Sequence, residues 1–153
     1  MADNIKEKVE DKILDWIALG TSGRLVAFKS GAGILTVQKK GGYGEKELVF
    51  KIESFIVPGP DEKLQRQLAK DSFKPAKNLY VIFLVFDEIK QKLEEKIWMI
   101  PSLDMANKKN YNFETSEFPD YVKDRKDFII FLIESLITEN KQKFKSFFKR
   151  KAY

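Results

Sequence analysis

The 153-residue sequence contains no cysteine and no histidine. The absence of cysteine excludes disulfide bonds, thiolate nucleophiles and cysteine-based zinc sites. The absence of histidine removes the usual general base and the commonest transition-metal ligand. Any chemistry that this chain performs must therefore use carboxylates, lysines and hydroxyls.

Long apolar runs are also missing. The longest ones, residues 79–86 and 128–133, are much shorter than the roughly 18 residues that span a bilayer, and the polar N-terminus has no signal-peptide core. Hydrophobic residues make up 43% of the chain, which is enough for a core, and the length suits one domain. We therefore predict a single soluble domain over residues 1–153, with a cytoplasmic location and no transmembrane segment.

Two common catalytic motifs are absent from the sequence. No GxxxxGK(S/T) or GxGxxG pattern stands between a strand and a helix, so the glycine-rich segments 20–23 and 41–44 are interpreted as turns. The serines have no histidine to activate them and no GxSxG elbow. These absences argue against P-loop nucleotide hydrolysis and against serine hydrolysis, and leave only a serine–lysine pair open.

Hydrophobic periodicity predicts the order helix, three strands, helix, strand, strand, helix. An apolar stripe indicates the first helix over residues 4–19, and alternation indicates strands at 24–28, 34–39 and 48–57, joined by glycine turns into an antiparallel meander. Pro58-Gly59-Pro60 then breaks the chain, and Asp61 is the predicted cap of a second helix that ends near Phe73.

The second half of the chain begins with a continuous apolar run at 78–87, which is typical of a central strand covered on both faces. A strand at 96–100, a loop at 107–121 and a long helix from about Asp124 follow. The predicted fold class is α/β (α+β), with a mixed central sheet flanked by helices, an extra strand and a long C-terminal helix.

Three charged residues are candidates for a catalytic site. Glu10 borders the buried stripe of the first helix, at i, i+4, i+7 spacing with Leu14 and Ile17. Lys51 and Glu53 share one face of the third strand, and with a helix glutamate they could hold hydrated Mg²⁺ and steady a phosphate. The alternative is that Lys51 and Glu53 line a half-exposed face and that Glu10 is solvated, because such alternation is ordinary.

The predicted element order resembles the αβββαβ core of the PD-(D/E)XK, or restriction-endonuclease-like, superfamily. The segments that look like its small prokaryotic members are KVEDKILDWI (8–17), GILTVQKK (33–40), ELVFKIESF (47–55), and the strand 79–86 followed by IWMIP (97–101). The resemblance covers most of residues 4–137. It implies a nucleic-acid-binding fold, with Mg²⁺ as the cofactor of any phosphodiesterase activity.

The chain departs from that family at the site itself. In the family a metal-binding Asp opens the second core strand, and a Glu or Gln, one variable residue and then Lys follow on the third. This chain has no Asp near Gly33 and Ile34, and its third strand reads Lys51-Ile52-Glu53, with the lysine and the carboxylate exchanged. Glu10 matches the helix glutamate. The resemblance thus implies catalytic positions at Glu10, Lys51 and Glu53 whose activity is lost or rearranged, and it assigns no metal ligands.

The excess positive charge lies in the C-terminal segment. The chain has 28 basic and 23 acidic residues, of which six basic and one acidic lie in residues 139–153, so the rest is balanced. Phe144, Phe147 and Phe148 at helical spacing predict a basic amphipathic extension over 139–153. The predicted nucleic-acid contacts are Lys39, Lys40, Lys141, Lys143, Lys145, Lys149, Arg150 and Lys151.

The predicted function is nucleic-acid binding, DNA being favoured over RNA, on a catalytically degenerate nuclease-like fold. One alternative is a residually active Mg²⁺-dependent nuclease. Another is a protein-interaction or regulatory module whose C-terminal helix binds a partner or a second copy of the chain. The basic extension also fits an anionic membrane surface, or a solvated helix end whose lysines suit the helix dipole.

Overall fold

Helix α1 opens the fold and spans Ala2–Gly20, as the apolar stripe predicts. The computed structural model describes residues 2–42, 46–107 and 109–137. Val9, Ile13 and Ile17 are buried on one side of α1 because residues three or four apart share a helix face. The helix ends where the amide of Gly23, at φ +74°, donates to the Ala18 carbonyl at 2.9 Å, a left-handed cap that suits glycine.

In the described part of the chain, eight strands and two further α-helices follow α1. Strands β1 (Leu25–Gly31), β2 (Ile34–Lys39) and β3 (Glu47–Val57) come first, and the short β4 (Gln65–Gln67) follows. The chain continues through β5 (Leu79–Asp87), β6 (Lys92–Pro101), helix α2 (Ser102–Asn107), β7 (Asn112–Glu114), β8 (Val122–Lys123) and helix α3 (Arg125–Leu136). Strands β1, β2 and β3 form the predicted antiparallel meander.

The main sheet is mixed, with six strands in the order β1-β2-β3-β5-β6-β8. Strand β5 runs parallel to β3, whereas β5–β6 and β6–β8 are antiparallel. Strands β4 and β7 form a separate two-stranded antiparallel sheet. The predicted mixed α/β class is confirmed.

Both faces of the main sheet are covered, so β5 is buried on both sides as predicted. Ile82, Leu84 and Phe86 pack in one hydrophobic cluster with α1 and α3, on what we call the helix face. The alternating residues Val81 and Phe83 belong to a second cluster on the opposite face. That face is covered by the connection 58–78, by α2 and by the segment that contains β7.

The predicted second helix at 61–73 is wrong. In this part of the chain, which is described without a gap, a 3₁₀ turn at Pro60–Lys63 is followed by Leu64 in a left-handed conformation and then by β4. The carboxylate of Asp61 does not cap a helix, because it accepts from the Ile56 amide at 3.0 Å and pairs with Arg66. The β3–β5 crossover is therefore largely irregular.

The segment predicted as a loop at 107–121 also differs from the expectation. It contains β7 and two 3₁₀ turns, and its residues Phe113 and Phe118 are buried in the second cluster. Helix α3 begins as predicted, since Asp124 Oδ1 accepts from the Asp127 amide at 2.7 Å. The predicted extension over 139–153 lies outside the described residues. Within the described ranges, no helix is long and apolar enough to cross a membrane.

Candidate functional site

A pocket of about 470 Å³ lies between the first half of α1, the β1–β2 turn and β3. It lies where β2 begins, because Ile34, the first residue of β2, pairs with Lys51 and the rest of β3 continues past the turn. We call it the charged pocket, since its lining combines the backbone of residues 31–33 with Lys6, Glu7, Glu10, Lys29, Lys51, Glu53 and Arg66.

The charged pocket brings together the three residues that the sequence singled out, Glu10, Lys51 and Glu53. The two-residue period of β3 places Lys51 and Glu53 on the same side of the strand, and both side chains are only 14% exposed. Helix α1 supplies Glu10 from its buried edge. The grouping is geometric, and the catalytic roles of these residues stay predictions.

Glu53 is the centre of a chain of ion pairs. One of its carboxylate oxygens lies 3.0 Å from Lys51 Nζ and the other lies 3.2 Å from the Arg66 guanidinium. Arg66 also pairs with Asp61 at 3.3 Å and donates to the Ser54 carbonyl at 2.9 Å. Both oxygens of Glu53 are therefore engaged by side-chain cations.

The ammonium of Lys51 lies against the turn that opens β2. A Cβ built on Gly33, which has φ +70°, would lie 3.0 Å from Lys51 Nζ. This is the region where the resemblance implies a metal-binding Asp. In the described part of the chain, no three Asp or Glu side chains are grouped so that they could hold a metal ion. The donor set therefore does not fit the Mg²⁺ site of the family.

Glu10 is the buried acid of the pocket. Its side chain is 8% exposed, and it has no hydrogen-bond or ion-pair partner among the described residues. Burial raises the pKa of Glu10; Lys29 and Lys51 lower it, whereas Asp11 and Glu7 raise it further. No described side-chain oxygen or nitrogen is both sealed from solvent and unpaired, so the Glu10 carboxylate opens into the pocket.

The rim of the charged pocket is cationic. Lys6 is exposed, and Lys29, with a side chain 40% exposed, forms an ion pair of 3.0 Å with Asp11 of α1. Its hydrogen bond to Asp11 raises the pKa of Lys29. Sequence reasoning missed Lys6, Lys29 and Arg66. Arg66 lies in the segment wrongly predicted as helical, and Lys29 lies one residue beyond the predicted end of its strand.

The structure does not bring Lys39 and Lys40 to the charged pocket. They are exposed at the other end of β2, where Lys39 pairs with Leu25 and the Lys40 amide donates to the Arg24 carbonyl at 3.0 Å. Lys39 lies five positions along the strand from Ile34, about 17 Å away. The other predicted nucleic-acid contacts, Lys141, Lys143, Lys145, Lys149, Arg150 and Lys151, lie outside the described residues.

Comparisons of the chain with protein-family models, with curated proteins and with solved structures found no match. The resemblance to the restriction-endonuclease-like superfamily therefore stays a prediction from the sequence pattern.

Proposed function

We propose that this chain binds nucleic acid and does not cleave it. The observation that carries the proposal is the ion-pair chain Lys51–Glu53–Arg66, which occupies the part of the fold where the resemblance implies a metal centre. A bound metal ion both neutralises a phosphate and generates an attacking hydroxide. A lysine ammonium can neutralise a phosphate, but it does not coordinate a water molecule and so does not generate an attacking hydroxide.

Exposed cations around the pocket support the same proposal. Lys6 and Lys29 stand at its rim, within reach of a strand that passes over it. The basic segment 139–153 adds six more cations. Each phosphate neutralised by such a residue releases counterions, so binding depends steeply on salt.

The salt dependence of DNA binding by the full-length chain tests this proposal. The logarithm of the binding constant should fall linearly with the logarithm of the salt concentration. Replacing Lys6 and Lys29 together by Ala should reduce the slope by about 1–2, since each duplex phosphate contact contributes about 0.9. The matched control replaces Lys70 and Lys74, which are exposed away from the pocket, and should leave the slope almost unchanged. No binding of duplex or single-stranded DNA at about 50 mM salt would contradict the proposal.

The absence of cleavage is tested separately. Plasmid DNA and RNA are incubated with the full-length chain and Mg²⁺ or Mn²⁺, and intact products are expected. Turnover that disappears in both Glu10→Ala and Glu53→Ala would instead establish the nuclease alternative and assign those carboxylates to it.

A second candidate function, protein interaction, is favoured by an apolar groove of about 450 Å³ beside the end of α1. Nearby, Leu19 is 73% exposed. The charged residues of the groove carry both signs, which suits a two-fold contact with a second copy of the chain. The groove is lined by Gly20, Glu95, Arg125, Lys126, Ile129, Ile130 and Ile133.

Light scattering across a wide concentration range tests self-association. A dimer that Ile130→Asp converts to a monomer would support the interaction function. Ile89→Asp is the control, since Ile89 is 79% exposed and lies in the β5–β6 turn away from the groove. A wild-type chain that stays monomeric throughout would contradict it.

A further inference from the structure

We propose that the charged pocket holds one unpaired nucleobase by its hydrogen-bond donor edge, with guanine preferred and the Glu10 carboxylate as the acceptor. This rests on the proposed nucleic-acid binding and names the part of the ligand that enters the pocket.

Glu10 is the buried carboxylate of the pocket, and it lacks a hydrogen-bond or ion-pair partner among the described residues. The carboxylate of Glu53 is paired with two cations, and that of Asp11 with Lys29. Glu10, more than nine-tenths buried, has no such partner in the described part of the chain. A buried carboxylate without hydrogen bonds is costly, so a ligand that donates to Glu10 gains affinity.

The charges around Glu10 select a neutral ligand. An ammonium or guanidinium group would add a cation to a lining that already has more cations than carboxylates, with Lys6, Lys29, Lys51 and Arg66 against Glu7, Glu10 and Glu53. A phosphate would meet the Glu10 carboxylate, and the deeper cations Lys51 and Arg66 are already paired with Glu53. An uncharged group with hydrogen-bond donors on one side and acceptors on the other is repelled neither by the cations nor by the Glu10 carboxylate.

Guanine has this arrangement of donors and acceptors. Its N1–H and N2–H₂ groups are parallel donors that match the two oxygens of a carboxylate, and its O6 and N7 are acceptors for a lysine or an arginine. Thymine offers one N–H between two carbonyl oxygens, which a carboxylate repels. Cytosine and adenine each offer an amino group next to an acceptor nitrogen, so they pair with Glu10 through a single hydrogen bond.

The dimensions and the rim of the pocket fit a base that leaves a single strand. Its volume of about 470 Å³ lies in the range of small-molecule pockets, about 300–1,000 Å³. Lys6 and Lys29 at the rim are placed for the flanking phosphates, since Lys6 is exposed and the ion pair of Lys29 with Asp11 is open to solvent. Single strands expose their base edges at a low unstacking cost, so they are the form that the pocket accepts.

Short labelled oligothymidines with one central G, inosine, A or C test the inference by fluorescence anisotropy. The oligomer with G should bind about tenfold more tightly than those with A or C, the factor expected of a bidentate contact. Inosine should lose most of this gain because it lacks the 2-amino group. Glu10→Gln, which keeps one acceptor oxygen, should remove the preference for G. Asp15→Asn, at an exposed acid of α1 outside the pocket lining, should keep it.

Titration with free guanosine monophosphate separates this inference from the proposed function. Shifts in the amide resonances of residues 31–33 and 52–54 that are lost in Glu10→Gln would support the base site, even where no oligonucleotide binds. Oligonucleotides that bind without preference for G, together with no response to the mononucleotide, would overturn the base site and leave nucleic-acid binding standing.

Discussion

Glu10 couples the stability of the fold to pH. Because burial raises its pKa above the ordinary 4.5, the folded chain still holds a proton on Glu10 at pH values where the unfolded chain has lost it. The unfolded state then binds fewer protons, so the free energy of unfolding falls as pH rises from about 4.5 through the raised pKa. Ionised Glu10 therefore destabilises the fold at neutral pH.

We expect Glu10→Gln to raise the urea concentration at the unfolding midpoint at neutral pH. The midpoint of this variant should also fall less than that of the wild type as pH rises from about 4.5 through the raised pKa of Glu10. Urea unfolding at a series of pH values measures both effects. Asp15→Asn is the control, since Asp15 is exposed on the same helix and does not contribute to the raised pKa of Glu10. Identical pH profiles for Glu10→Gln and the wild type would show that burial does not govern this carboxylate.

Gly33 supports the placement of Lys51. Its φ of +70° is costly for any residue with a Cβ, and that Cβ would stand 3.0 Å from the Lys51 ammonium. Gly41 has a similar φ of +77° with nothing within 4 Å, so it isolates the backbone effect. We expect Gly41→Ala to cost about 1 kcal/mol and Gly33→Ala to cost measurably more. Urea unfolding compares the two, and equal losses would mean that the lysine moves aside freely.

At the scale of residues, local spacing predicted Lys51 and Glu53 on one face of β3 and Glu10 at the border of the buried stripe of α1, but it did not determine that Glu10 approaches Glu53. Helix and strand periods determine which side of an element a residue occupies. Arg66 was missed because it reaches Glu53 across 13 positions of irregular chain. The sequence also did not indicate that Glu10 lacks a hydrogen-bond or ion-pair partner among the described residues, because this depends on Lys29 forming its ion pair with Asp11.

Helix α3 depends on its N-cap residue. Asp124 precedes the helix, and its carboxylate accepts from the Asp127 amide at 2.7 Å, satisfying one free amide of the first turn. We expect Asp124→Ala to cost about 1 kcal/mol in the free energy of unfolding, the usual loss for such a cap. Asp120→Ala, at an exposed aspartate just before β8, should cost less than half as much. Equal losses in urea unfolding would indicate that the cap is replaced by water.

Among the elements, those with strong periodicity were predicted and those shaped by distant pairing were not. The stripe of α1 and the alternation of β2 and β3 each repeat over several turns or pairs. The false helix at 61–73 was predicted from the break at residues 58–60 and the cap at Asp61, and its apolar residues are not at helical spacing throughout. What shapes this segment is β4 pairing with β7, where Arg66 lies opposite Phe113, 47 positions later. No local sequence pattern predicts the pairing of β4 with β7.

For the whole molecule, five of the six strands of the main sheet match strands predicted from the sequence, whereas β8 was not predicted. The glycine-rich segments predict β1, β2 and β3 as neighbours, and the continuous apolar run of β5 requires cover on both faces. Also unpredicted is what covers the face opposite α1 and α3. A second helix was expected there, whereas the cover consists of α2, irregular chain and aromatic side chains from a segment that reads as a loop.

Phe113 shows that this irregular segment belongs to the same cooperative core. Its ring is fully buried and lies 3.8 Å from the Phe83 ring of β5, measured between centroids. Removing a buried phenylalanine costs about 3–5 kcal/mol, a large share of the 5–15 kcal/mol that stabilises a typical domain. We therefore expect Phe113→Ala to lower the midpoint of the single unfolding transition of the whole chain. Phe28→Ala, at a residue 41% exposed on the edge strand β1, should cost less than about 1 kcal/mol. Two results would contradict this expectation: unfolding in two transitions, or a loss of stability as small as that of Phe28→Ala. Either result would mean that the cover is a layer that unfolds separately. Arg66 would then not be held against Glu53 by packing of the cover on the sheet.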